Sequence, residues 1–247
     1  MNRRLLDLTL RLGVYRWARL FNDKLRYRKL KARELAFLRR LIRPGALVFD
    51  VGANRGQSAE AYLRLGARVI AFEPQAALHE EILQRCQHLG DLKLEPVGLG
   101  SAPERRELLL KDCDQVASFD PDWEGGVIGR QAVEVSTLDA MIEKHGRPDY
   151  CKVDVEGWER HVIAGLSTPI ALVSLEYHLS PENIRDTKDA LHTLAELGPY
   201  EANVLQQGTN DWAMPTWMAA TEFAERFSDR LELQWSAHFG EVFLRTV

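Results

Sequence analysis

After Gly45 the chain alternates between short apolar runs and longer amphipathic stretches, with turn residues between them. ALVFDV (46–51) and ARVIAFE (67–73) are rich in Val, Ile and Phe and too short for helices; with a helically spaced stretch at 58–65 between them, they predict a βαβ unit of buried parallel strands. The same alternation predicts a helix over 76–88, a strand over 92–98, a hairpin near 105–118, a strand over 132–135 and a helix over 137–145. Further on come a strand at YCKVDV (150–155), a helix at 158–165, a strand at IALVSLEY (170–177), a helix at 181–197, a strand near 200–206 and a closing strand at EVFLRT (241–246). Strand and helix alternate almost to the end, the signature of an α/β fold with a doubly wound sheet.

Before Pro44 the pattern differs. Apolar residues from Leu5 to Leu41 fall near helical spacing between arginines and lysines, which predicts two basic amphipathic helices. Residues 1–43 carry 14 Lys/Arg against 3 Asp/Glu, so the rest of the chain, with 18 basic and 33 acidic residues, is net acidic. Such helices suit contact with an anionic membrane surface, a lipid-linked glycan or a nucleic-acid backbone; the plainer reading, which we prefer, is a solvated arginine face. We divide the chain on this basis at 1–43 and 44–247.

Composition adds exclusions rather than identity. Charged residues make up 28% and the overall net charge is −4, an ordinary globular balance. Cys86, Cys113 and Cys151 form no CxxC pair, which suggests neither a disulfide framework nor a zinc site. With no secretory signal pattern and no spanning apolar run, the expected location is cytoplasmic. No HExxH or close histidine pair is present, which argues against catalytic zinc; a divalent ion held by Asp154 and Glu156 is the other use for those acids, but no metal is expected.

The chemistry concentrates in a few stretches. Asp50-Val51-Gly52-Ala53-Asn54-Arg55-Gly56 sits where the first strand should end, the place where doubly wound sheets bind ligands. Gly52 and Gly56 allow close backbone approach and positive φ. The spacing GxxxG is neither the GxGxxG of a dinucleotide pyrophosphate site nor a P-loop. Asp50 would repel phosphate and attract an amine or sulfonium, so a zwitterionic ligand with a cationic centre suits the bend. Glu73, before Pro74 at the end of the second strand, is placed to accept the hydrogen bonds of a ribose diol.

VFDVGANRGQS with VIAFEPQ, then VSTLDAMI, KVDVEGWE and VSLEYH, resembles the FkbM-type S-adenosylmethionine-dependent methyltransferases over roughly residues 35–180. The resemblance implies the class I methyltransferase (Rossmann-like) fold: a seven-stranded sheet with its last strand antiparallel, here preceded by N-terminal helices, with 44–247 as the cofactor-binding domain. It implies S-adenosylmethionine as cofactor, Asp50, Gly52, Asn54 and Gly56 at its methionine end, Glu73 at its ribose, and O-methylation of a hydroxyl on a sugar, glycan or natural product. Pro96-Val97-Gly98-Leu99 stands where the family often has Asn-x-Ala-Leu, leaving Val97 as the candidate on the adenine side.

The second acidic cluster, Lys152-Val153-Asp154-Val155-Glu156-Gly157, closes the predicted fourth strand, and alternation puts Lys152, Asp154 and Glu156 on one side if the strand continues that far. His178 ends the neighbouring strand. Asp154, Glu156 or His178 is the candidate general base, with Lys152 orienting an acid or the substrate. Other readings are a non-catalytic cofactor-binding partner module and a ribose 2′-O-methyltransferase of RNA, although nucleic acid is the less expected partner. Two further stretches stand out: the acid- and glycine-rich segment 112–131, read as a lid over the cleft or a solvated excursion, and Trp212–Met218, read mainly as core.

Overall fold

The structure, a computed structural model, describes residues 32–112, 117–123, 125–206, 211–227 and 239–247. The chain divides into two compact units, 1–41 and 42–247. In the first, a helix spans 32–38; the first predicted basic helix and the start of the second lie outside the described residues. The second unit holds the sheets.

The main sheet contains seven longer strands: β1 (Leu47–Val51), β2 (Arg68–Phe72), β3 (Leu92–Glu95), β8 (Tyr150–Val153), β9 (Leu172–His178), β10 (Tyr200–Gln206) and β13 (Phe239–Thr246). Their order is β3-β2-β1-β8-β9-β13-β10; among these seven β13 alone runs antiparallel to its neighbours, and the two-residue strands β11 (Asp211–Trp212) and β12 (Met218–Ala219) add to β10. This is the class I methyltransferase topology. Strand order reverses between β1 and β8, which opens a crevice at their carboxyl ends. All five residues of β1 are buried, as a strand covered on both faces must be. On one face Phe49, Val51, Val153, Leu175 and Leu244 build the main core with Leu191 and Leu194 of the helix Pro181–Leu197. That helix starts at the predicted residue because Ser180 caps it, accepting from the Asn183 amide, and Pro181 occupies its first turn.

A second, four-stranded sheet inserts between β3 and β8, in the order β4 (Gly98–Leu99), β7 (Val127–Ser136), β5 (Glu104–Lys111), β6 (Ala117–Ser118). It corrects two expectations. The strand expected over 92–98 breaks at Pro96, which has no N–H for the ladder; Gly98 and Leu99 instead join the second sheet, parallel to β7. The hairpin near 105–118 is only a two-pair contact of Leu109 and Leu110 with Ser118 and Ala117, and the full-length partner of β5 is β7. The exposed half of β7 lacks the apolar alternation by which its true length would be read. Leu108, Phe119, Val133 and Val135 form the small core of this sheet, and Trp158, from the segment after β8, packs against it.

Lys111, only 2% exposed, ends β5 and donates to the carbonyls of Pro121 (3.1 Å) and Trp123 (2.8 Å). Residues 117–123 are thereby fastened beside the main sheet. The Trp212–Met218 stretch is partly core: Met214 is buried, bonded through its backbone to Asn203, and Trp212 meets Trp217 and Phe243 edge-on. No helix among the described residues is long and apolar enough to cross a membrane. Replacing Lys111 with Met keeps its bulk and leaves two carbonyls without their charged donor, so urea unfolding should show a loss of about 2–3 kcal/mol; a loss below about 0.5 kcal/mol would show that the amine does not fasten this segment.

Candidate active site

The turn after β1 is shaped by one carboxylate. Glu73, 6% exposed at the end of β2, accepts the Asn54 amide on Oε2 (2.8 Å) and the Gln75 amide on Oε1 (2.8 Å). The Gly52 and Ala53 amides both donate to the Phe72 carbonyl, which ties the same turn to β2. The bend takes Gly52 to φ 83°, Asn54 to φ 49° and Gly56 to φ 77°. At Gly52 a side chain is impossible without movement: a Cβ would lie 1.8 Å from the Asp154 carbonyl oxygen. Glycine there lets the loops after β1 and β8 touch, and the Asp154 amide bonds the Val51 carbonyl beside it.

These loops border a cleft of about 660 Å³ counted with its opening to solvent. Six sequence-predicted residues line it: Gly52, Asn54, Glu73, Val97, Asp154 and Glu156. Leu78, Leu99, Leu108 and Phe119 give one side an apolar wall. Asp50, Gly56, Lys152 and His178 lie outside the lining. Asp50 is fully buried, beside Lys152 in the β1–β8 register. Gly56 begins the helix Gln57–Arg64, packed near Cys86. His178 borders a second, smaller cavity of about 240 Å³, with Trp123, Glu176 and Asn183.

The strand reading of 152–156 needs correction at its end. Lys152 and Asp154 do share a side, with Nζ 2.5 Å from Oδ2, but β8 stops at Val153 and Glu156 turns into the left-handed region at φ 56°. Alternation therefore does not reach Glu156. Glu159 fixes the turn instead, accepting the amides of Val155 (2.8 Å) and Gly157 (3.4 Å) on Oε1. Glu156 is held from the other side: Ser118 Oγ donates to its carbonyl (2.7 Å) and Trp123 Nε1 to its carboxylate (3.1 Å). Residues 117–123 are thus a wall of the site. Glu159, Glu176, Ser118 and Trp123 escaped the sequence reading, although the glycine after Glu156 announced a turn, and a Glu two residues beyond that glycine could have been read as its acceptor.

Burial sets the charges. Desolvation pushes Asp50 up to about 6, opposed by Lys152, and Glu73 up to about 7, opposed by its two amides. Glu159 is pushed up to about 7 in the same way. Burial opposes the charge on Lys152, yet Asp154, Asp50 and Glu241 together hold its ammonium well above the ordinary lysine range. Burial also opposes ionisation of Asp154, but Lys152 first, then a hydrogen bond from Glu176, keep its carboxylate below the usual range. Glu176 is the counterpart, pushed up to about 10 by burial and by the Asp154 charge. Glu156, Glu176 and His178 bring one possible ligand atom each to within 4.8 Å of one another, a spacing compatible with a cation. Direct contacts already account for the grouping: Trp123 donates to Glu156, and His178 Nε2 lies 3.4 Å from Glu176 Oε2.

Comparison with known proteins adds a family. The model of the methyltransferase FkbM domain matches residues 50–199. No curated protein matches the sequence. Solved structures similar to this chain include the precorrin-6y C5,15-methyltransferase of Geobacter metallireducens (9% identity, covering 87% of this chain and 86% of that one, TM-score 0.45). Others are a TehB-like SAM-dependent methyltransferase from Corynebacterium glutamicum (12%, 93% and 99%, TM-score 0.46) and an rRNA methylase from Streptococcus thermophilus (11%, 86% and 93%, TM-score 0.43).

Two outcomes follow from the turn. Gly52→Ala should destabilise the protein by about 3 kcal/mol or more, measured by denaturant titration, because both φ and the Asp154 carbonyl forbid a Cβ. Since the Glu73 pKa is raised from 4.5 to about 7, its folded form keeps a proton that the unfolded chain loses, and its contribution to stability is full below 4.5 and falls as pH rises through 7. The difference in unfolding free energy between wild type and Glu73→Gln should accordingly shift against wild type by roughly 3 kcal/mol across that window. A pH-independent difference would contradict the burial of a titrating Glu73.

Proposed function

The chain belongs to the FkbM methyltransferase family, and from that premise we propose that it is an S-adenosylmethionine-dependent O-methyltransferase acting on a hydroxyl of a sugar, glycan or natural product. The observation that carries this reading is that one cleft is lined by both Glu73 and a partly exposed Asp154 paired with Lys152.

The residues present fit the cofactor. Each Glu73 oxygen takes one backbone amide and has a further lone pair for a ribose hydroxyl. The turn Gly52–Gly56 would hold the amino-acid end, and Val97 with the apolar wall of Leu99, Leu108 and Phe119 would take the adenine. The carboxylates that line the cleft, Glu73, Asp154 and Glu156, suit a cationic ligand and oppose an anionic one. When bound, the cofactor supplies a methyl group on a positively charged sulfur.

What the chain itself must do is place the acceptor and take its proton. Ionising an alcohol of pKa near 16 beforehand would cost about 12 kcal/mol at pH 7, so the proton must leave as the new bond forms. This reading assigns the proton to Asp154, which borders the cleft with its side chain 27% exposed and is kept charged by Lys152. The Glu156 carboxylate already accepts from Trp123, and His178 opens on the smaller cavity. Lys152 orients Asp154 from behind.

Calorimetry tests the cofactor: S-adenosylmethionine should bind wild type, NAD should not, and Glu73→Ala should weaken binding about 10- to 100-fold. Equal affinity in both proteins would remove Glu73 from the ribose. On a hydroxyl acceptor found by screening, Asp154→Asn should lower kcat about 100- to 10,000-fold with the cofactor Kd little changed; near-native turnover would remove Asp154 as the base.

A further inference from the structure

Asp154 and Glu176 lie on either side of a partition. Asp154 borders the large cleft, whereas Glu176 and His178 border the smaller cavity next to it. The register of β8 and β9 runs to Val153↔Leu175, so Asp154 and Glu176, the next residue of each chain segment, stand side by side. Neighbouring like charges with little water between them cannot both form without a large penalty, which favours one proton on the pair. The groups facing Glu176 fix which: Lys152 and Asp154 from β8, Glu156 from the turn after it, His178 from its own strand, and Glu241 opposite it on β13. Lys152 sits 2.5 Å from Asp154, which places the negative charge on Asp154 and the proton on Glu176. His178 Nε2 lies 3.4 Å from Glu176 Oε2, at the edge of hydrogen bonding, and its ring packs between Trp123 and the exposed Phe239 at the rim.

We propose that Glu176 is a positioning residue that shares one proton with Asp154 across this partition, holding Asp154 as the acceptor of the substrate's hydroxyl proton and opening a route by which that proton leaves through His178 and the smaller cavity. The proposal rests on the methyltransferase reading given above. In the balance of the step, the acceptor hydroxyl gives its proton to Asp154 as its oxygen gains the methyl group. The dyad passes from one proton to two and from one negative charge to none; Lys152 stays protonated throughout. Loss of the second proton by way of His178 restores the starting state. The route keeps the proton out of the cleft, where the methyl donor sits.

Infrared spectroscopy of the full chain, with isotope-labelled glutamate carboxyls, tests the shared proton without any substrate. At about pH 8.5 Glu73 and Glu159, each pushed up only to about 7, are ionised, so a protonated glutamate signal belongs to Glu176. We expect one such label-sensitive carboxylic C=O band in wild type, absent from Glu176→Gln. No band in wild type, a band that survives Glu176→Gln, or a stoichiometric divalent ion on the purified protein in place of the band would overturn the proposal. In turnover, Glu176→Ala should lower kcat about 10- to 100-fold with the cofactor Kd unchanged, and Glu176→Gln, which still donates to Asp154, should recover part of the loss; equal losses in both would overturn the positioning role. Failure of S-adenosylmethionine to bind would sink the methyltransferase reading without altering the band, so the two failures are distinguishable.

Discussion

The site depends first on one buried carboxylate that accepts two backbone amides from different loops. Glu73 takes Asn54 from the turn after β1 and Gln75 from the turn after its own strand, and so sets the distance between two rims of the cleft. Its burial is costly, as the raised pKa shows, and the two amides offset that cost only partly. A structural acid could reach the same end at the surface with less penalty. A carboxylate kept inside a cleft, with lone pairs still open, makes physical sense as a ligand contact.

The second constraint is charge. Asp50, Lys152 and Ser174 are neighbours in register on β1, β8 and β9, with Asp154 and Glu176 just beyond, so one buried cation serves several acids on the same face of the sheet. Such a row cannot carry a full charge on every acid at little cost: Lys152 holds Asp154 below the usual carboxylate range, whereas burial and the Asp154 charge push Glu176 up. The excess of acid at the cleft favours a cationic partner.

Much of the fold was legible. β1, β2, β9 and the helix Pro181–Leu197 stand out because full burial demands continuous apolar runs, and because Ser180 and Pro181 are strong local start signals. Glu73 and the glycine turn were legible as a pair on successive strands. The inserted sheet was legible only in part: a short β5–β6 hairpin and the 132–135 end of β7 were read, but β5 and β7 pair across more than a dozen intervening residues, and the outer half of β7 carries no periodic pattern. The same holds for Trp123, Ser118 and Lys111, whose roles arise from hydrogen bonds to loops distant in sequence. Glu156 misled for a local reason: strand alternation was carried past Val153 into a residue that the Glu159 carboxylate draws into a left-handed turn.

A crystal structure with S-adenosylhomocysteine bound addresses the central claim most directly. The account predicts both ribose hydroxyls on Glu73, the amino-acid end along Gly52–Gly56, and the sulfur on the side of the cleft that Asp154 borders. A ligand seated elsewhere, or one in the cleft with its ribose turned away from Glu73, would contradict it.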